Sequence, residues 1–258
     1  MNKLLLLFVP ILLLAGCANN PPRTVDLPPH DPWPAAEWVT VGASNDGRPI
    51  ESRQFGDGPL RVLVIGSIHG DETEGLAIIN SVVHSLDSPD VRALATFRVL
   101  RDVNPDGSAR RSRTNAHGID LNRNWPASNF EPSATHGTRP LSEPETRAAH
   151  ATYLAFDPDL VVVFHSTSRG PFVNFNPPDV DALAQTFADA AAATDARWTV
   201  VADMGYPTPG SLGTFSGIDR DVPTLTIEFK RGHDSDLAFR SVMAGLRAAT
   251  RELSPAAR

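Results

Sequence analysis

Residues 60–72 read LRVLVIGSIHGDE, a nearly unbroken apolar run that passes directly into the polar loop His69-Gly70-Asp71-Glu72. Such a run predicts a strand that is buried on both faces of a sheet. The loop places side chains of metal-ligand type at the carboxyl end of that strand, where open α/β sheets build their sites. His69 and Glu72 can converge on one cation if the loop curls between them. A pair three residues apart also arises by chance, and Glu72 would equally suit the start of a helix.

Strand-like and helix-like patterns alternate on either side of this stretch. Residues 39–44 and a second strand that ends at Phe55 flank the turn Asn45-Asp46-Gly47 and predict a hairpin. The sequence Ser142-Glu143-Pro144-Glu145 predicts a capping box at the start of a helix. Further strands are predicted at 97–103, 160–164, 198–201 and 224–229, and helices at 74–86, 143–156, 180–193 and 237–253. The fold class is therefore α/β, a single-domain mixed β-sheet flanked by helices on both faces.

The charge balance and the cysteine content exclude several classes of protein. The chain has 23 Lys and Arg residues against 30 Asp and Glu residues, and its formal net charge is -7. It therefore lacks the basic footprint of a protein that binds nucleic acid. A single cysteine excludes an intrachain disulfide. We expect a monomer with no nucleic-acid partner.

The N-terminus has the pattern of a secretory signal. Lys3 precedes the apolar stretch 4–14, which is shorter than the about 20 residues of a membrane-spanning helix, and small residues follow. The exit Leu14-Ala15-Gly16-Cys17 resembles the bacterial lipobox. That resemblance implies cleavage before Cys17 and attachment of lipid to its thiol. The alternative is an ordinary signal peptide with an incidental cysteine.

This pattern predicts the domain organisation and the location. We expect a lipoprotein signal peptide at 1–16, a proline-rich tether at 17–37 and a folded domain at 38–258. Trp33 leaves open the alternative that the tether packs over the domain. The protein would be exported and held by its lipid alone at a membrane facing the periplasm. Ala18, rather than an aspartate, follows the cysteine and indicates the outer membrane.

His165 follows the apolar run 160–164 and is a third candidate metal ligand. A histidine at the exit of a buried strand can also simply satisfy a backbone carbonyl. Convergence with His69 and Glu72 favours the ligand interpretation, because catalytic zinc commonly takes two histidines and one carboxylate.

Glu228 lies inside the last apolar run and shares one face of that strand with Thr226. A buried carboxylate needs a partner or a function. One interpretation is a salt bridge to a cation such as Lys230. The other is a general base beside the metal, with a pKa raised by its dry surroundings.

Further motifs lie between and beyond these strands. They are Asn104-Pro105-Asp106-Gly107, the segment 113–125 with the pattern RxNxxGxDLNRNW, Ser142-Glu143-Pro144-Glu145-Thr146, Phe164-His165-Ser166 and Thr226-Ile227-Glu228-Phe229. In this order, and together with His69 and Glu72, they resemble the motifs of zinc carboxypeptidases. The resemblance runs from about residue 65 to residue 230 and implies the fold, the activity and the cofactor of that family.

The resemblance also implies roles at the reacting centre. His69, Glu72 and His165 would hold one zinc ion, and Asp120 would orient the imidazole of His69. Glu228 would take a proton from the attacking water and deliver it to the leaving amine.

Other residues would contact the substrate. Arg113 would stabilise the oxyanion, although Arg110 and Arg111 lie close enough in sequence to leave that assignment open. By the same resemblance, Asn122 and Arg123 would hold the terminal carboxylate of the substrate.

Residues 206–217 carry the expectations about substrate choice. Tyr206 is the one plausible counterpart of the mobile tyrosine of digestive carboxypeptidases, and Leu212 with its neighbours would contribute to the side-chain pocket. The sequence PGSLGTFSG at 209–217 looks like that of murein peptide amidases, the bacterial branch that cuts between γ-D-glutamate and meso-diaminopimelate. The expected substrate is therefore a murein peptide.

Three other functions remain open from the sequence. They are a general metallocarboxypeptidase acting on L-peptides, a deacylase of N-acyl amino acids similar to aspartoacylase, and an inactive lipoprotein that binds wall peptides. The stereochemical preference at the scissile bond and the depth of the pocket also remain open.

Overall fold

Eight strands pair into one sheet in residues 38–255, the part of the chain that the computed structural model describes. The predicted signal peptide, Cys17 and the proline-rich tether lie outside the described residues. The strands are β1 (Val39–Ala43), β2 (Pro49–Phe55), β3 (Leu60–Ile65), β4 (Ala95–Leu100), β5 (Leu160–Thr167), β6 (Phe172–Asn176), β7 (Thr199–Val200) and β8 (Thr224–Lys230). The helices are α1 (Thr73–Leu86), α2 (Pro89–Arg92), α3 (Pro105–Arg110), α4 (Pro144–Phe156), α5 (Asp181–Ala192) and α6 (Ser235–Leu253).

The sheet is mixed, as predicted, and its strand order is β1-β2-β4-β3-β5-β8-β6-β7. The four central strands β4, β3, β5 and β8 are parallel. The β1–β2 hairpin continues the sheet on one side with antiparallel pairing, and β6 pairs antiparallel with β8 on the other. Because the central strands are parallel, their carboxyl ends meet at one edge, where ligand sites form.

Helices cover both faces of the sheet and produce two hydrophobic cores. On one face α1, α5 and α6 pack through side chains such as Val82 and Phe187. On the other face α4 packs through Tyr153 and neighbouring side chains. β3 contributes alternately to the two cores, with Val64 on one face and Ile65 on the other, which explains its unbroken apolar sequence. Among the described residues, no helix combines the length and the apolar character needed to cross a bilayer.

The predicted strands and helices are present, with ends shifted by a few residues. β3 ends at Ile65 rather than Ile68. The next residue, Gly66, lies close to the neighbouring segment, because a Cβ atom there would lie 2.5 Å from the carbonyl oxygen of Arg101. The prediction does not include β6, α2 and α3.

The predicted capping box at α4 is wrong. The helix begins at Pro144 with Glu143 as its N-cap residue, and no side chain caps it. Oγ of Ser142 instead donates to Oε1 of Glu143 at 2.8 Å, and the Glu145 carboxylate accepts the Asn45 backbone N–H at 3.0 Å. A contact between the adjacent residues Ser142 and Glu143 and a contact with the distant hairpin therefore replace the local reciprocal hydrogen bonds that the sequence pattern favours.

Candidate active site

Three buried side chains of metal-ligand type meet at the carboxyl edge of the sheet: His69, Glu72 and His165. His69 and Glu72 belong to the turn between β3 and α1, and the Glu72 N–H donates to the His69 carbonyl at 3.1 Å. His165 lies near the end of the adjacent parallel strand β5. Gly70 allows the turn to close against α3, because a Cβ atom there would lie 1.9 Å from the carbonyl carbon of Gly107.

The three side chains present their ligand atoms to one point. Nδ1 of His69 lies 3.0 Å from Oε1 of Glu72, and Nδ1 of His165 lies 2.7 Å from Oε2 of Glu72 and 3.1 Å from Nδ1 of His69. One ligand atom from each residue lies within 4.8 Å of the others. Two imidazole nitrogens and one carboxylate form the donor set of many catalytic zinc sites and leave a coordination position open. The residues therefore fit a zinc ion.

The electrostatics of the cluster also suit a cation. Burial alone would lower the pKa of His69, but Glu72 and Asp120 outweigh it and raise this pKa to about 9. Burial alone would raise the pKa of Glu72, but His165 and His69 hold it well below its ordinary value. The carboxylate is thus kept ionised, and positive charge is favoured where the three side chains meet.

Asp120 is placed to orient His69. Its Oδ1 lies 3.0 Å from Nε2 of His69 and accepts the Asn122 backbone N–H at 2.9 Å. Asp120 precedes the short 3-10 helix Leu121–Arg123, so the same carboxylate positions a ligand and the segment that follows it. This is the contact that the sequence comparison with zinc carboxypeptidases implies for Asp120.

Among the three candidate arginines, the structure brings Arg113 to the cluster. Nη1 of Arg113 donates to Oε1 of Glu72 at 3.1 Å, and its Nε donates to Oδ2 of Asp120 at 2.9 Å. Arg110 pairs with the Asp46 carboxylate, and Arg111 ends α3 in a left-handed conformation with φ of 51°. Arg113 is the one of the three that lines the pocket.

Glu228 faces the same space from β8. It is the register partner of His165, and it is buried. Burial raises the pKa of its carboxyl above the ordinary value. Lys230 does not pair with it, because the Lys230 ammonium donates to the Ser168 carbonyl at 2.8 Å. Within residues 38–255 no hydrogen bond or ion pair occupies the Glu228 carboxylate, which suits a group that exchanges a proton.

The site opens into a pocket of about 400 Å³ that is lined by three of the predicted substrate residues, Asn122, Arg123 and Tyr206. Nδ2 of Asn122 lies 3.3 Å from Nε2 of His165, and Nη1 of Arg123 donates to the Asn122 carbonyl at 2.7 Å. Tyr206 also lines the pocket and is 50% exposed, so it stands at the rim rather than in the core.

Leu212 differs from its predicted position. Its side chain is fully buried in the same hydrophobic core as Phe215 and does not line the pocket. Its backbone N–H donates to Oδ1 of Asn122 at 2.9 Å. Leu212 therefore holds a pocket residue through its backbone, and its neighbours Ser211 and Gly213 line the pocket instead.

Several other residues that line the pocket were not predicted from the sequence. Asn174 and Asn176 lie on β6, where they alternate with the buried apolar residues Val173 and Phe175. This alternation of polar and apolar residues is the sequence pattern from which the two asparagines could have been predicted to share one face of a strand. Arg231 lies directly after β8, three residues beyond Glu228, and nothing in its local sequence distinguishes it from a surface arginine.

Comparison with known proteins gives a consistent family relationship. Residues 34–255 match the family described as zinc carboxypeptidase. Murein peptide amidase A of Escherichia coli (strain K12) is 31% identical over 197 residues, which cover 70% of this chain and 73% of that protein. Murein peptide amidase A of Vibrio campbellii is 30% identical over 184 residues, with 65% and 68% covered.

Solved structures show the same fold. The murein-tripeptide amidase of Escherichia coli O157 is 29% identical, with a TM-score of 0.63 over 84% of this chain and 93% of that chain. Carboxypeptidase A of Helicoverpa armigera gives a TM-score of 0.67 over 84% of this chain and 69% of that chain. At 18% identity the latter supports the fold alone.

Proposed function

This chain belongs to the zinc carboxypeptidase family, and we propose that it hydrolyses the bond between γ-D-glutamate and meso-diaminopimelate in murein peptides. Membership of this family and the similarity to murein peptide amidases make it a hydrolase of the zinc peptidase class. The observation that carries the narrower substrate is the 31% identity to murein peptide amidase A over 73% of that protein.

The metal site follows from the geometry of the ligand cluster. His69, Glu72 and His165 would hold one zinc ion, which fits the two ring nitrogens and the carboxylate that converge there. When bound, zinc polarises a carbonyl oxygen and makes water a stronger acid. Asp120 keeps the His69 ring in the orientation that presents Nδ1 to the cluster.

Glu228 would transfer the protons of the reaction. Its carboxylate faces the cluster without a competing partner among the described residues, so it can accept a proton from water and then donate it to the leaving amine. Burial raises the pKa of the Glu228 carboxyl toward the pH of the solution, so that this group can both accept and donate a proton. Arg113 would hold the developing oxyanion from the Glu72 side of the pocket.

The pocket offers partners for the product end of the substrate. Asn122 and Arg123 would hold the carboxylate next to the scissile bond, and Tyr206 lies at the rim of the same pocket. The side chain of diaminopimelate ends in an amino and a carboxylate group. Asn174, Asn176 and neighbouring hydroxyl groups form a polar wall of the pocket. Such a wall accommodates this polar side chain better than it would accommodate an apolar side chain.

We further propose that the protein is an exported lipoprotein attached through Cys17. This location would place the enzyme in the compartment that contains the murein substrate. Labelling cells with a palmitate analogue tests the anchor, and Cys17→Ala is the matched variant. Label on the parent protein but not on Cys17→Ala supports the proposal, and label on both contradicts it.

The activity is tested with the zinc-loaded protein and the tripeptide L-alanyl-γ-D-glutamyl-meso-diaminopimelate. We expect release of free diaminopimelate, and Glu228→Gln should keep its zinc while losing activity by about 100-fold or more. His69→Ala should lose both zinc and activity. Cleavage of ordinary L-peptides without release of diaminopimelate would contradict the proposed substrate and favour a general metallocarboxypeptidase.

A further inference from the structure

Arg231 is a pocket residue to which neither the family motifs nor the chemistry above gives a role. It follows β8 directly, and its backbone N–H donates to the Thr167 carbonyl at 3.0 Å, which fixes the chain at the end of the sheet. Arg231 lines the same pocket as Glu228, and its side chain remains 45% exposed. A cation is therefore held at the mouth of the site with a large part of its surface accessible.

One acidic neighbour fixes the direction of this guanidinium. Nη2 of Arg231 donates to Oδ2 of Asp71 at 2.9 Å and lies 4.0 Å from Oε1 of Glu72. A guanidinium carries five N–H donors in a rigid fork. Within the described part of the chain, Asp71 is the one residue that accepts a side-chain hydrogen bond from Arg231, so most of the fork is free for another anion.

The position of Arg231 indicates which part of a substrate it meets. Asn122, which would hold the terminal carboxylate together with Arg123, adjoins His165. Arg231 instead adjoins Asp71 and Glu72. Asn122, the neighbour of Arg123 in the chain, and Arg231 thus adjoin different members of the cluster. If Arg123 holds the product on the amine side of the scissile bond, Arg231 lies toward the acyl side.

A γ-linked glutamyl residue carries an anion on that acyl side. Its side-chain carboxyl forms the scissile amide, so its α-carboxylate stays free and ionised a few bonds away. An ordinary α-linked peptide has a neutral backbone amide in the corresponding place. We propose that Arg231 binds this free α-carboxylate and thereby selects γ-glutamyl substrates over α-linked peptides. This inference rests on the proposed murein substrate.

The test compares the acid tripeptide with its counterpart in which the α-carboxylate of the glutamyl residue is a carboxamide. For the parent protein we expect the acid form to have a kcat/KM higher by about tenfold, mainly through KM, as for a partly exposed charged hydrogen bond. Arg231→Gln should lower kcat/KM for the acid form to the level of the amide form and leave the amide form nearly unchanged. Arg231→Lys should restore part of the preference.

Two controls separate a contact from a folding defect. Arg240→Gln removes the same charge from an exposed position on α6 and should keep the full preference for the acid form. In calorimetry, Glu228→Gln should bind the acid peptide about tenfold more tightly than the amide peptide. The double variant Glu228→Gln with Arg231→Gln should bind the two peptides with equal affinity.

The outcomes separate the two proposals. Release of diaminopimelate from both peptides at equal kcat/KM, unchanged in Arg231→Gln, would overturn the role of Arg231 and leave the proposed function standing. Release from neither peptide by the parent protein would overturn the proposed function and this inference with it. An equal loss for both peptides in Arg231→Gln would also overturn the inference, because it would show a structural role.

Discussion

Nε2 of His69 lies 3.0 Å from Oδ1 of Asp120, and both side chains are buried. When Nε2–H donates to this carboxylate, Nδ1 is left as the nitrogen that faces Glu72 and His165. The other oxygen of Asp120 accepts from Arg113. One carboxylate therefore sets both the ring orientation of a candidate metal ligand, His69, and the position of Arg113.

The substitution Asp120→Asn should weaken zinc binding. An amide has one acceptor atom, so it cannot serve both His69 and Arg113 as the carboxylate does. We expect the zinc affinity to fall by about 10- to 100-fold, measured by competition with a chromogenic chelator. Asp236→Asn, at an exposed position on α6, is the control and should bind zinc like the parent protein. Equal affinity in the parent protein and Asp120→Asn would show that this carboxylate does not position the ligand.

The choice among the three neighbouring arginines can be tested directly. Arg113→Ala should lower kcat by roughly 100-fold, the usual cost of losing an oxyanion donor. Arg110→Ala loses a surface pair with Asp46 and should change kcat by less than about twofold. Steady-state kinetics on any peptide that the parent protein cleaves provides the measurement. A larger loss in Arg110→Ala than in Arg113→Ala would reverse the assignment.

The sheet and the ligand cluster were predictable because their signals are local. The apolar runs that become β3 and β5 need burial on both faces, and polar residues placed just after such runs reach one edge when the strands are parallel. Local sequence patterns do not show that β3 and β5 are neighbours in the sheet. The order and spacing of the family motifs indicated that His69, Glu72 and His165 form one cluster.

The residues that were missed depend on contacts between distant segments. The side chain of Arg231 is directed by its hydrogen bond to Asp71, which lies in the loop after β3. The predicted capping box failed for the same reason, since Asn45 reaches the Glu145 carboxylate from the hairpin. Asn176 lies on β6, whose short sequence ends at a proline and gives a weak strand signal.

The position of Leu212 leads to a prediction about stability. Its side chain is buried in the same hydrophobic core as Phe215, so Leu212→Ala should lower the free energy of unfolding by about 2–5 kcal/mol. The ratio of kcat/KM between two substrates that differ in the terminal residue should stay the same, because the backbone N–H to Asn122 is retained. Urea denaturation and a two-substrate assay measure the two quantities. Leu154→Ala, 53% exposed on α4, is the matched control. A changed ratio of kcat/KM with an unchanged free energy of unfolding would show that the Leu212 side chain contributes to the pocket wall.

Asp106 connects the hairpin to α3 and should make stability depend on pH. Burial alone would raise the pKa of Asp106, but hydrogen bonds from the Asp46 backbone, Arg48 and Ser44 outweigh it and hold this pKa below its ordinary value. The unfolded chain therefore binds a proton at a higher pH than the folded chain does. The stabilising contribution is fully present above the unfolded pKa of about 3.9 and is lost as the pH falls through the lower folded value.

The variant Asp106→Asn isolates this contribution. At pH 7 it should lower the free energy of unfolding by about 1–3 kcal/mol, because hydrogen bonds to a buried charged acceptor are lost. Below about pH 4 the difference from the parent protein should shrink, since Asp106 in the parent becomes protonated as well. Urea denaturation at a series of pH values from 3 to 7 measures both effects. A difference that stays constant over this range would mean that the charge of Asp106 does not stabilise the fold, and that Asp106 acts through shape alone.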